Sequence, residues 1–168
     1  MTSADFFASL GAIYLFAVAW PLSRIDIREH RLPNRLVLPA FPIALVGLAI
    51  AAVISSRWLD LALTILAASI AFAVGLLVNR FGSLGMGDVK LIAATTLSIA
   101  WFNLLAPIIA LVLGLVLASA VILVQLIRGR TNLQSEIALG PYLLAGFVST
   151  QILTWSSYLG GFSPNVLT

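Results

Sequence analysis

Two aspartates stand at the ends of apolar runs, in settings that could support chemistry. Asp26 lies in Ser23-Arg24-Ile25-Asp26-Ile27-Arg28-Glu29-His30-Arg31-Leu32-Pro33-Asn34. Asp88 lies in Gly82-Ser83-Leu84-Gly85-Met86-Gly87-Asp88-Val89-Lys90-Leu91. A pair of carboxylates can divide a hydrolysis: one takes a proton from water while the other protonates or polarises a carbonyl. The division needs pKa values pushed apart, which close like charge and desolvation both do. Such a pair titrates as a coupled unit, so neither aspartate is assigned as the acid or the base. Each also has a plain structural reading. Asp88 stands where a helix should begin, and Asp is a favoured N-cap that complements the helix dipole. Asp26 shares its loop with four arginines, a setting in which a carboxylate is commonly a solvated ion-pair partner.

The glycines favour a site. Gly82, Gly85 and Gly87 crowd the approach to Asp88, more than a cap requires. Glycine allows positive φ and close backbone approach, which would suit an extended peptide laid beside a carboxylate. The alternatives are a turn or a small-residue helix contact. Lys90 could raise the local positive potential near Asp88 or reach to lipid headgroups. Glu29, His30 and the nearby arginines form a solvated arm able to attract anionic lipid. Glu136 complements the dipole of the last helix, and Gly140-Pro141 falls in that helix's first turns. Other chemistries are excluded. The chain has no cysteine and one histidine, so disulfides, thiolate catalysis and a cysteine or histidine zinc site are not expected. The P-loop and dinucleotide-binding glycine spacings are absent.

The elements that position these residues are written in the hydropathy. Of 168 residues, 61% are hydrophobic and 9% charged, far from the ~25% charged of a soluble domain. A chain of this size cannot hide so much apolar surface from water, whereas lipid removes the difficulty. A span needs about 20 apolar residues, and the runs Phe6–Leu22, Leu36–Ile54, Leu59–Val78 and Ile137 to about Tyr158 meet this. The stretch Val89–Ile127 holds 39 residues, roughly 58 Å as one helix, about twice the hydrocarbon core. It should fold as two helices with a turn near Trp101-Phe102-Asn103 and with Pro107 starting the second. The expected fold is an all-α polytopic membrane bundle of six transmembrane helices, forming a single transmembrane domain over residues 1–168.

Charge sets the orientation. With the first helix starting outside, eight of the nine Lys and Arg fall in the cytoplasmic segments: Arg24, Arg28, Arg31, Arg35, Arg80, Lys90, Arg128 and Arg130. Only Arg57 lies outside. This is the positive-inside asymmetry, with both termini extracytoplasmic. The net charge of +3 therefore marks topology and gives no sign of nucleic-acid binding. Ala17-Val18-Ala19 resembles a signal-peptidase site, but no basic residue precedes the apolar run, so cleavage there is not expected. Two crossings separate Asp26 from Asp88, so both belong to the same, cytoplasmic, interface.

These motifs resemble a known family. Gly85-Met86-Gly87-Asp88-Val89-Lys90 resembles the GxGD motif of intramembrane aspartyl proteases, and its continuation into Leu91 is similar to the prepilin peptidase branch. Asp26 followed by Leu32-Pro33-Asn34 is similar to that family's first aspartate segment. Ile137-Ala138-Leu139-Gly140-Pro141-Tyr142 resembles its last-helix motif, which usually reads closer to Pro-Phe-Gly-Pro. The resemblance implies an aspartic endopeptidase with Asp26 and Asp88 catalytic, and with Gly85, Gly87, Lys90, Pro33, Asn34, Gly140 and Pro141 shaping the site. It implies no metal and no cofactor. Its substrates would be prepilin-like proteins with a basic leader before an apolar helix, cut at the cytoplasmic face of a prokaryotic inner membrane. The short first loop without cysteine resembles the peptidase-only form of tight-adherence pilus and archaeal preflagellin systems, in which no cytoplasmic methyltransferase domain is expected. The competing class is a small transporter or channel subunit, which needs ionisable residues along a crossing path. Here the acids gather at loop ends.

Overall fold

The structure is a computed structural model describing residues 2–82, 84–128 and 138–159. Among them every regular element is an α-helix. Helix α1 (Ser3–Ala8) opens with a Thr2–Asp5 capping box and passes through Ser9 into α2 (Leu10–Glu29). The short α3 (Asn34–Val37) leads into α4 (Ala40–Ser55). Then come α5 (Trp58–Arg80), α6 (Met86–Ile99), α7 (Ala106–Ile127) and α8 (Gly140–Leu159). The expected break after Ile99 is present, and Pro107 lies in the first turn of α7. There its missing N–H costs nothing.

The first pass differs from its expected bounds. The apolar run ends at Leu22, but α2 continues to Glu29, so Arg24, Asp26 and Arg28 are helical rather than in a loop. Arginine is a good helix former, and a charged sequence need not break a helix. The break comes at His30, which caps α2 in the left-handed conformation with φ 50°. Pro33 then keeps Leu32 out of the helical region and starts α3.

Among the described residues four helical stretches are long and apolar enough to cross a membrane: Ser3–Glu29, Asn34–Ser55, Trp58–Arg80 and Ala106–Ile127. Helix α6 has only 14 residues, about 21 Å at 1.5 Å per residue, less than a full hydrocarbon core. It is also the most enclosed helix, with Val89, Leu91, Ala93, Ala94, Thr96 and Leu97 all buried. A helix wrapped by its neighbours can be short because it does not itself meet lipid over its whole length. The outer surface is apolar: Trp20, Val53, Leu59, Ile108 and Leu153 are each more than half exposed. That arrangement suits lipid rather than water.

Two buried clusters hold the bundle. One joins α2, α6 and α8 through Leu15, Leu22, Leu91, Ile99, Leu144 and Phe147. The other joins α1 and α4 to the end of α6 through Ala4, Ala8, Leu48, Leu97 and Trp101. Helices α7 and α8 approach closely where Gly114 meets the Tyr142 carbonyl; a Cβ at Gly114 would lie 2.9 Å from that oxygen. Small residues permit such contact, and close packing replaces the hydrophobic driving force absent between helices in lipid.

Candidate active site

Asp26 lies in the last turns of α2 and is 4% exposed. A carboxylate near a helix C-terminus is opposed by that helix's dipole. The fold offsets this with another helix: the Gly140 N–H, at the start of α8, donates to Asp26 Oδ2 at 3.0 Å. Asp26 thus sits at the positive end of α8. The arginines of its own segment do not hold it. Among the described residues the salt bridge present is Arg57–Asp60, far along the chain, while Arg24, Arg28, Arg31 and Arg35 are exposed. The ion-pair reading of Asp26 is therefore not what the structure shows.

Asp88 is not an N-cap. Helix α6 begins two residues earlier, at Met86, with Gly85 as its cap, and Asp88 occupies the third helical position. There it still benefits from the dipole. Its carboxyl is pushed up to about 6, first by burial and then by the charge of Asp26, with the Gly85 backbone N–H opposing. Its Oδ1 is buried without a hydrogen-bond partner, an arrangement that native proteins seldom leave in place.

The three glycines before Asp88 do different things. Gly82 has φ 73° and open space around it, so it makes the turn after α5. Gly85 caps α6 against the Asp88 carboxylate, and a Cβ there would lie 3.1 Å from Oδ2. Gly87 makes room for a residue of the chain itself: a Cβ would come 2.7 Å from Leu32 Cβ. The close approach expected of a peptide is, at Gly87, made by the α2–α3 loop. Gly140 is tighter still, its Cβ position lying 2.7 Å from Asp26 Oδ2 and 3.1 Å from Leu32 Cδ2.

Lys90 Nζ donates to Asn34 Oδ1 at 2.9 Å, tying α6 to α3. Tyr14 Oη donates to the Leu36 carbonyl at 3.0 Å, tying α3 to α2. Asn79 braces the loop before Asp88 through the Leu84 carbonyl, 2.6 Å away. Asp26, Asp88, Gly85, Gly87, Lys90 and Asn34 line one cavity of about 340 Å³. Gly140 backs it through Asp26, Pro33 begins α3 beside it, and Pro141 follows Gly140 in the first turn of α8. His30, Arg31, Leu32 and Met86 also line it. Sequence reasoning left these four out of the site. For Leu32 a signal was present, an apolar residue stranded in a charged loop. Glu136, Arg130 and Ile137 lie outside the described residues. Among the described residues no three His, Cys, Asp or Glu side chains are placed to hold a metal ion.

The profile of the type IV leader peptidase family matches residues 13–127, from α2 to the end of α7. The chain is 34% identical over 155 residues to the prepilin leader peptidase/N-methyltransferase of Escherichia coli (strain K12), covering 88% of this chain and 66% of that relative. The chain thus spans just under two thirds of that relative's length. No solved structure matches. The family match takes in both aspartates, both ends of the cavity and well over half of the sequence: this chain belongs to the type IV leader peptidase family.

Proposed function

We propose that this chain is an aspartic endopeptidase of the GxGD type that removes the basic leader of prepilin-like proteins at the cytoplasmic face of a prokaryotic inner membrane, with Asp26 and Asp88 as the catalytic pair. One observation carries the reading: two inward-held carboxylates, from segments with two apolar passes between them, line a single cavity. With it we propose six spans with both termini outside, in one transmembrane peptidase domain. The clustering of both acids at one end of the bundle favours hydrolysis over transport, which would need polar groups along a crossing path.

In the proposed reaction one carboxylate takes a proton from water as the oxygen attacks the scissile carbonyl carbon. The other, protonated, carboxyl donates to the carbonyl oxygen. Collapse breaks the C–N bond: the amine leaves with the proton taken from water, and the proton lent to the carbonyl oxygen returns to the second carboxylate. No covalent intermediate forms. Asp88 Oδ1, buried and unpartnered, is free to bond water or a peptide group entering the cavity. Gly140 holds Asp26 by its N–H, and the Lys90–Asn34 bond keeps α3 against α6. Gly85, Gly87, Pro33 and Pro141 set the backbone that frames the two acids.

The test is leader removal from a co-expressed prepilin by Asp26→Ala, Asp88→Ala and the Asn counterparts. Wild-type-like cleavage by any of them would sink the dyad.

Two smaller effects should accompany it. A shared proton is lost as pH climbs through the raised Asp88 pKa of about 6, so the cleavage rate should fall on the alkaline side with an apparent pKa near that value. Initial rates in liposomes across a pH series check this, and a profile flat through that region would contradict proton sharing. Lys90→Met removes an exposed charge-assisted hydrogen bond, a contribution of about 1 kcal/mol. Cleavage should slow only about three- to tenfold, by the usual conversion of free energy to rate. A loss as deep as that of the aspartate variants would assign Lys90 a direct part in the chemistry.

A further inference from the structure

A second cavity, about 570 Å³, lies between α5 and α7 over α6. Its walls are helix faces in regular register. Helix α5 offers Ala67, Ile70, Ala71, Val74, Gly75 and Val78, spaced as one continuous stripe of a helix. Facing it, α7 and the turn before it offer Leu104, Ile108, Leu111 and Leu115, spaced four, three and four apart along one helix face. Ile92 and Thr96 of α6 form the floor, and the hydroxyl of Thr96, the one polar side chain among the described lining residues, is already bonded to the Ile92 carbonyl. Ile70, Val74, Ile108 and Leu115 are each more than one third exposed. The two faces are thus shaped for helix packing but leave a gap between them.

One end of the groove borders the segments that carry the candidate site. At one end it is lined by Leu84 and Leu139. Leu84 carries the carbonyl braced by Asn79 in the loop that leads to Asp88. Leu139 precedes Gly140, whose N–H holds Asp26. Leu84 directly precedes Gly85 of the aspartate cavity, and Leu139 directly precedes Gly140, so this end of the groove borders both aspartate-holding segments.

We propose that this groove seats the apolar helix of the peptidase's own substrate, so that the extended residues just before that helix reach Asp26 and Asp88. The inference rests on the peptidase reading above and adds the docking surface to it. The closeness of the groove's end to both aspartate-holding segments selects the occupant: a second copy of this chain or a lipid tail would fill the groove without needing its end beside them. The α5 stripe from Ala67 to Val78 covers about 16 Å at 1.5 Å per residue, three turns of a docked helix. Its small members let that helix approach closely.

The chain has no cysteine, which makes the test clean. Single cysteines at Val78, Val74, Ile70 and Ile108 would be introduced in the Asp88→Asn background, so that substrate stays uncut. Each is paired with single cysteines along the apolar helix of a co-expressed prepilin, and disulfide yield is measured. Val53→Cys, on the outward face of α4, is the control. The expected result is a yield several-fold above control, with Val78→Cys pairing nearest the scissile bond and Ile70→Cys about two turns further along. In parallel, the chain with Asp88 restored is assayed for cleavage of the same prepilin. Normal cleavage with yields no higher than at Val53→Cys overturns the groove and leaves the peptidase reading standing. Cross-linking without the two-turn register overturns the proposed orientation. Failure of the restored chain to cleave overturns the peptidase reading, and the groove proposal with it.

Discussion

Asp26→Asn and Asp88→Asn should each slow leader cleavage by roughly 100- to 10,000-fold, the span that a positioned proton donor or acceptor contributes. Asp88→Asn should also make the protein more stable at neutral pH. The sign follows from linkage. The folded-state carboxyl of Asp88 is raised from 3.8 to about 6, so the native protein binds this proton more tightly than the unfolded chain does. That stability is fully present below the unfolded value and is lost as pH rises to the folded one. At pH 7 the wild-type chain therefore carries a charge the fold disfavours, and asparagine removes it while keeping an oxygen facing Gly85. Thermal unfolding in detergent across the range from about pH 4 to 8 should show Asp88→Asn melting several degrees higher at the top and converging with wild type at the bottom. An inactive variant that is also less stable at pH 7 would mean that the carboxylate is held by structure rather than against it. Such a gain on removing a functional group is a known stability–activity trade.

Gly140→Ala should be nearly as damaging, though it changes no ionisable group. The new methyl would stand 2.7 Å from Asp26 Oδ2 and 3.1 Å from both Asp26 Cγ and Leu32 Cδ2. Neither neighbour is free to yield, because Asp26 is buried and Leu32 also fills the space that Gly87 leaves. The carboxylate must move or its 3.0 Å bond to the Gly140 N–H must stretch. Displacing a reacting group by about 1 Å can cost about 100-fold in rate. Overpacking of a tight site adds about 1–3 kcal/mol of destabilisation. Pro141→Ala is the companion variant. Proline there only predisposes the backbone to start a helix, so its cleavage should stay within a few-fold of wild type. Single-turnover assays of the two variants separate the effects. Equal losses would mean that α8 needs its start and that the Asp26 contact is incidental.

Much of this arrangement was legible in the residues. Hydropathy and the positive-inside pattern called for a helical membrane bundle, and the family resemblance is matched by a profile covering residues 13–127. The split of the long stretch was readable because 39 apolar residues exceed one crossing and Pro107 suits a helix start. The setting of Asp26 was not readable. A run of charges after Leu22 looks like a loop, yet α2 persists through it because its residues are competent helix formers and neighbouring helices bury Asp26. The start of α6 lies three residues earlier than a cap at Asp88 would put it: Asp88 looks like a cap, but Gly85 takes that position. The short α6 shows the same limit, since its enclosure by neighbouring helices is a long-range property.

By itself the sequence determined the solvent, the helical class, the likeness of its motifs to a peptidase family and the pairing of two aspartates across two apolar passes. These are properties of local composition and spacing, which the chain carries before it folds. Tertiary structure alone decided that Asp26 is held by the N-terminus of α8, that Gly87 and Gly140 are glycines because Leu32 and Asp26 press against them, and that an apolar groove lies between α5 and α7 with one end at Leu84 and Leu139. Those contacts join residues up to 114 positions apart. Their distances depend on how whole helices pack, which no local pattern encodes.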